Sequence, residues 1–178
     1  MTSPKGDPTY IKNKDRFFID VANTIAQAST HPKSPGGCIV VRNREIIGDG
    51  RSLLTHTKVE IDCVAHAIAC ACARGTPTIG AEIYSTRYPF SASVFQAHVM
   101  GVKQIFVEAH AWEPYYKDEF RRAARLAREL SMPIEPIFTN SDPRFNVNQH
   151  EHELHDEELY VEEKPYTPDE FDQDITQD

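Results

Sequence analysis

Apolar positions along this chain recur with two different periods, and the switches between those periods mark out its elements. Between Asp15 and Ser29, Phe18, Val21, Ala22, Ile25 and Ala28 fall on one stripe at helical spacing. A proline-rich break from Pro32 to Gly37 follows. "CIVVRNREIIGDG" then holds two short apolar runs about a turn at Arg42 to Arg44, which predicts a β-hairpin. Residues 51–60 read as loop. The apolar stretch from Ile61 to Arg74 is too long for a strand and stops at Gly75 and Pro77, so it predicts a helix with a glycine cap.

Further on, "AEIYSTRYP" reads as a strand ended by a proline turn, "SASVFQAHVMG" as a short helix, and "KQIFVEA" as a strand. Tyr116 to Ser131 carries the stripe Phe120, Ala123, Ala124, Ala127 and Leu130 of an amphipathic helix, and "MPIEPIF" makes the last strand. The order α, β, β, α, β, α, β, α, β predicts an α/β protein. Strands separated by helices pair in parallel, which gives a five-stranded mixed sheet with parallel final strands between layers of helix. No internal repeat interrupts this series. The expected organisation is an N-terminal extension over 1–13, one domain over 14–138 and a tail over 139–178, since 178 residues suffice for one domain with a core of its own.

Charge sharpens that division. The formal net charge is −8, yet from His150 onward twelve Asp and Glu face a single lysine, so residues 1–149 are mildly basic, at +3, and the tail is strongly acidic. Such a tail does not bury enough surface to offset the entropy of ordering, and disorder is the expectation for it alone. Leu154, Leu159, Tyr160, Val161, Tyr166 and Phe171 are more than a solubilising spacer needs, which leaves spacer and partner-docking arm as alternatives. The tail's charge also repels phosphate and speaks against a nucleic-acid partner. No run of eighteen apolar residues occurs and "MTSPKGDPTYIKNKD" lacks an apolar leader core, so a protein without secretory or membrane signal is expected. Cys38, Cys63, Cys70 and Cys72, three of them on one apolar helix, predict reduced, buried thiols and a cytoplasmic location.

The hairpin "GGCIVVRNREIIGDG", the helix "AHAIACACARG", the segment "GAEIYSTRYPFSAS" and "HVMGVKQIFV" together resemble the zinc-dependent cytidine deaminase family, in particular its deoxycytidylate (dCMP) branch. The resemblance runs from about Phe17 to Phe138 and implies a three-layer α/β/α sandwich. It also implies two motifs: His-Ala-Glu, whose His binds zinc and whose Glu shuttles a proton, and Pro-Cys-x-x-Cys, which supplies two thiolates. Zinc lowers the pKa of a bound water and the glutamate carries its proton to the leaving amine. In this sequence Asp62 stands at the His, Cys63 at the Ala and Val64 at the Glu. Pro89 is kept, but Phe90 and Ser93 stand at the two cysteines. All four reactive positions differ while the apolar scaffold persists, which implies a catalytically silent member with its zinc site lost.

Other residues qualify as candidates. Asp62 and His66, four apart on one helical face, are a weak two-ligand metal site or a polar pair satisfying each other. Cys63, Cys70 and Cys72 read as core. His150, His152 and His155 form a possible chelating cluster. Gly48, Asp49, Gly50 and Arg51 lie where the resembled enzymes approach their nucleotide, and the same glycines also suit a plain turn. His110, Trp112, Tyr115 and Tyr116 follow the fourth strand at its C-terminal end, where they suit either a base platform, Trp112 above all, or a protein interface together with Leu159, Tyr160, Tyr166 and Phe171. Three functions stay open. One is a structural or regulatory subunit in a homo- or hetero-oligomer, with the tail as a second protein contact. Another is a nucleotide-binding regulator without the reaction. The third is a deaminase-type hydrolase with a rearranged site. A viral source, with the host cytoplasm or the virion as its place, suits the family resemblance.

Overall fold

The computed structural model of the chain describes residues 8–108 and 116–137. The chain divides at Phe145 into two units, and everything described belongs to the first. The acidic tail with Leu159, Tyr160, Tyr166 and Phe171, its histidines, and His110, Trp112 and Tyr115 all lie outside the described residues.

Four helices and seven strands follow in the order α1 (Pro8–Ala26), β1 (Gly37–Arg42), β2 (Glu45–Arg51), β3 (Leu53–Leu54), β4 (Glu60–Ile61), α2 (Cys63–Ala73), β5 (Glu82–Ser85), α3 (Ser91–Val99), β6 (Gln104–Glu108), α4 (Lys117–Glu129) and β7 (Ile134–Ile137). Five strands make one sheet in the order β2-β1-β5-β6-β7. β1 is antiparallel to both β2 and β5, whereas β5, β6 and β7 run parallel, as the alternation of strand and helix predicts. Two readings need correction. The first helix begins at Pro8, two turns before Asp15 and inside the stretch read as an extension, and it ends at Ala26. Proline suits a first helical position, where its missing N–H costs nothing. The supposed loop 51–60 contains β3 and the start of β4, a two-residue ladder pairing Leu53 with Ile61 and Leu54 with Glu60.

Strand alternation sorts the core into two layers. Cys38, Val40, Ile83, Ile105 and Val107 face α2, α3 and α4, meeting Val64, Ala67, Ile68, Val94, Ala97, Ala123 and Ala127. Ile39, Val41, Tyr84 and Phe106 face the other way, against Phe18 and Ile19 of α1. Rings of Phe18, Tyr84 and Phe106 stack through this second layer with centroids 4.9 and 4.8 Å apart. The result is an α/β/α sandwich with three helices on one face and α1 on the other.

The helices stop where left-handed residues let them. After α2, Gly75 at φ +72° donates to Cys72 O while Thr76 donates to Ala71 O, and Gly101 closes α3 with the same pair of bonds. Ser131 does this for α4 without being glycine.

Lys14 ties α1 to the sheet, donating to Glu82 Oε2 at 2.8 Å beside the Tyr84 hydroxyl. Burial pushes the Glu82 carboxyl up, but the Lys14 hydrogen bond and charge, with Tyr84 and Lys103 behind them, hold it below its ordinary value of 4.5. A carboxylate depressed in the folded state contributes stability that is complete above the unfolded value and disappears as pH falls through the folded one. Unfolding midpoints in urea should therefore drop between about pH 5 and pH 3, and Lys14→Met should flatten that part of the profile. An unchanged slope in the variant would show that the pair contributes nothing to acid sensitivity.

Candidate functional site

The small β3–β4 ladder delivers the chain into α2 so that Asp62 takes the position just before the helix, with extended backbone at φ −66° and ψ 141°. Its backbone carbonyl accepts the N–H of His66 at 3.0 Å. Beyond a minor contact with the Val64 N–H, its side chain makes no cap on its own helix. It crosses instead to α3, where Oδ2 accepts the backbone N–H of Phe90 at 3.2 Å and the Ser93 hydroxyl lies on the same carboxyl. Cys63 Sγ lies 3.5 Å from Asp62 Oδ1 and 3.5 Å from Ser85 Oγ.

Asp62 is only 4 % exposed. Burial pushes its carboxyl up, partly offset by the bonds from Ser93 and Phe90 and by the charge of Arg87. Burial, with the neighbouring Asp62, pushes the Cys63 thiol up to about 12, so sulfur is held as the thiol at neutral pH. Cys38 is raised in the same way by burial and by Cys63. Val64 is fully buried among aliphatic neighbours of the three-helix layer. Phe90 packs at a tilt against Tyr116 and Phe120, at 5.3 and 6.4 Å between centroids.

A residue not singled out from the sequence organises the rest. Arg87, 2 % exposed, leaves the end of β5 and points inward. Its Nη1 donates to Ser34 O at 3.2 Å, Ser52 Oγ at 3.0 Å and Glu60 Oε1 at 3.4 Å. The guanidinium lies over the rings of Tyr116 and Phe90, 4.9 and 5.5 Å from their centroids. Glu60 also accepts from the Tyr116 hydroxyl through both oxygens, at 3.0 and 2.9 Å. Burial and that carboxylate push the Tyr116 phenol up to about 12. His31 Nδ1 accepts the Ser34 N–H at 2.9 Å, which leaves the proton on Nε2, 3.4 Å from Glu60 Oε1. One sequence signal for Arg87 existed: it is the sole Asp, Glu, Lys or Arg between Glu82 and Lys103.

The remaining candidates fall elsewhere. Asp62 and His66 do not satisfy each other, because the Asp62 side chain turns to α3 while His66 Nδ1 meets the backbone of Arg51, 3.0 Å from its oxygen and 3.2 Å from its nitrogen. Gly48 and Gly50 lie against α2: a Cβ on Gly48 would sit 2.6 Å from Ala67 O, and one on Gly50 2.6 Å from Cys63 O. Asp49 points outward to Arg74, 2.6 Å away. Tyr116 is engaged with Glu60, inside the fold. Of the three helical cysteines only Cys63 is core; Cys70 is half-buried and Cys72 exposed, because they lie off the buried stripe of Cys63, Val64, Ala67, Ile68 and Ala71. Among the described residues, no three His, Cys, Asp or Glu side chains gather as a metal-binding group.

No family model matches this chain. The ComE operon protein 2 of Bacillus subtilis is 25 % identical to it over 138 residues, 66 % of this chain and 71 % of that protein. Among solved structures, the apo dCMP deaminase of cyanophage S-TIM5 superposes with a TM-score of 0.57 at 17 % identity, covering 73 % of this chain and 98 % of that one. A diaminohydroxyphosphoribosylaminopyrimidine deaminase/5-amino-6-(5-phosphoribosylamino)uracil reductase from Thermotoga maritima gives 0.60 at 17 % identity, over 71 % of this chain and 37 % of the larger protein. The chain thus has the cytidine deaminase-like α/β fold.

Proposed function

We propose that this chain is a catalytically silent deaminase-fold protein that serves as a structural or regulatory subunit through contacts with other protein, its own copies or a different chain. One observation carries the reading: at the four positions where the resembled family places its zinc ligands and proton shuttle, the side chains are already engaged. Asp62 receives Phe90 and Ser93, Phe90 is packed against the Tyr116 ring, and Val64 is packed in the core. The residues present do not fit a zinc ion. Of the three ligand positions, Phe90 offers only carbon, Ser93 a neutral hydroxyl already on Asp62, and Asp62 a carboxyl already bonded to the start of α3.

The hairpin supports the same reading. Its glycines are explained by the approach of β2 to α2 and Asp49 by Arg74, which leaves little of that segment to meet a nucleotide. Among the described residues no helix is long and apolar enough to cross a membrane. The acidic segment over 139–178 is the second protein contact in this proposal.

Native mass spectrometry, metal analysis and a dCMP turnover assay on one preparation test the reading together. Substoichiometric zinc, no conversion of dCMP, and an assembly of defined subunit composition are expected, and calorimetry with dCMP, dCTP or dTTP should register no heat. Stoichiometric zinc accompanied by turnover would overturn the proposal in favour of a hydrolase with a rearranged site. Nucleotide heat without turnover would make the chain a nucleotide-binding regulator.

A further inference from the structure

Helix α3, nine residues long, starts in an unusual way. The residue before it is Phe90, whose side chain has no oxygen to offer, and no acid stands in its first turn. Its first amides are nevertheless satisfied, from two other helices. The N–H of Phe90 goes to Asp62 Oδ2 at 3.2 Å, and both the N–H and hydroxyl of Ser91 go to Glu119 Oε1, at 2.7 and 2.6 Å. Each carboxyl is steadied through its second oxygen by a neighbour on its own helix. Cys63 Sγ lies 3.5 Å from Asp62 Oδ1, and Arg122 donates to Glu119 Oε2 at 3.0 and 2.7 Å.

We infer that Asp62 and Glu119 form a two-carboxyl clasp that joins the start of α3 to α2 and α4, so that these three helices are assembled without a metal ion. In the resembled family two thiolates at the start of this helix, with their metal, would supply the acceptors and the cross-link. Phe90 supplies neither, and the Ser93 hydroxyl takes part only by lying on the Asp62 carboxyl. A helix N-terminus presents unpaired N–H donors and favours carboxylates near it, and here the chain brings them from 28 residues before Phe90 and 28 residues after Ser91. The inference rests on the reading of the site as free of zinc and adds what holds the helices in its place.

Amide hydrogen exchange on the full chain is the test, with melting temperature and metal content followed in parallel. In the wild-type protein, excess chelator or added zinc should move neither the melting temperature nor the protection of the Phe90 and Ser91 amides. Asp62→Ala should lower protection at Phe90 by roughly tenfold or more while sparing Ser91, and Glu119→Ala should do the reverse, in keeping with the loss of one hydrogen bond each. Glu119 is partly exposed, so its variant carries the test alone if Asp62→Ala does not fold. Unchanged protection at the matching amide would overturn the clasp while leaving the silent-subunit reading intact. Zinc-dependent dCMP turnover would overturn that reading, and chelator-induced loss of wild-type stability would overturn the metal-free assembly, whatever the exchange data.

Discussion

Arg87→Ala should lower the stability of this protein by about 3–5 kcal/mol, the usual cost of removing one member of a buried charged network. The arginine is held by a backbone carbonyl, a hydroxyl and a carboxylate, with two rings beneath the guanidinium. Its removal takes the guanidinium from Glu60, whose side chain is 21 % exposed and keeps Tyr116 and His31 beside it, and leaves a cavity where the long side chain lay. The surroundings are built to the arginine's shape: a Cβ on Gly36 would collide with the Arg87 side chain, so glycine is required beside it. Arg87→Lys should recover part of the loss, because Nη1 alone makes the bonds to Ser34, Ser52 and Glu60 and an ammonium also carries three donors, while the planar contact with the Tyr116 and Phe90 rings is lost. Equilibrium unfolding in urea measures both. A loss under about 1 kcal/mol for Arg87→Ala, the range of a surface ion pair, would mean that the network contributes little.

Gly50→Ala should be nearly as damaging, at about 3 kcal/mol, the upper end of ordinary overpacking. The added methyl would run into the backbone of α2, at Ala67 N and at Cys63 O, and backbone cannot rotate aside as a side chain would. β2 would have to move off the helix that it packs against. Gly75→Ala is the internal control. A methyl there meets nothing within 4 Å, and the left-handed φ of +72° alone should cost roughly 1–2 kcal/mol. Thermal melts of the two variants therefore separate a steric role from a conformational one. Equal losses would remove close approach to α2 as the explanation for the glycine of β2.

Most of the architecture was legible because it rests on long-wavelength patterns. The five strands of the main sheet are apolar runs bounded by turn residues, and the parallel pairing follows from their separation by helices. β3 and β4 were not legible, since two residues each carry no periodicity, yet this ladder sets the positions of Glu60 and Asp62. Asp62 shows the limit most clearly. Spacing along a helix paired it with His66, but one residue before the helix its side chain is free to turn to Phe90, a contact between elements that no local rule contains. Glu119 was hidden in the same way, as one of two acids in the first turn of α4. Arg87 was legible in principle, because a lone charge in a long uncharged stretch has to be either exposed at a bend or buried with partners.

The outer strand β7 has a bearing on how copies of this chain can meet. It carries Glu135 and Pro136 at the border of the five-stranded sheet and, among the described residues, pairs on one side only, with β6. Proline has no N–H to lend to a further strand, and a neighbouring acid discourages close approach of another backbone. A ladder extended across this border into a second molecule would miss a rung where two short strands have few to spare. Self-association by continuous sheet is thereby disfavoured at β7, and with it the edge-to-edge polymerisation to which open sheets are prone.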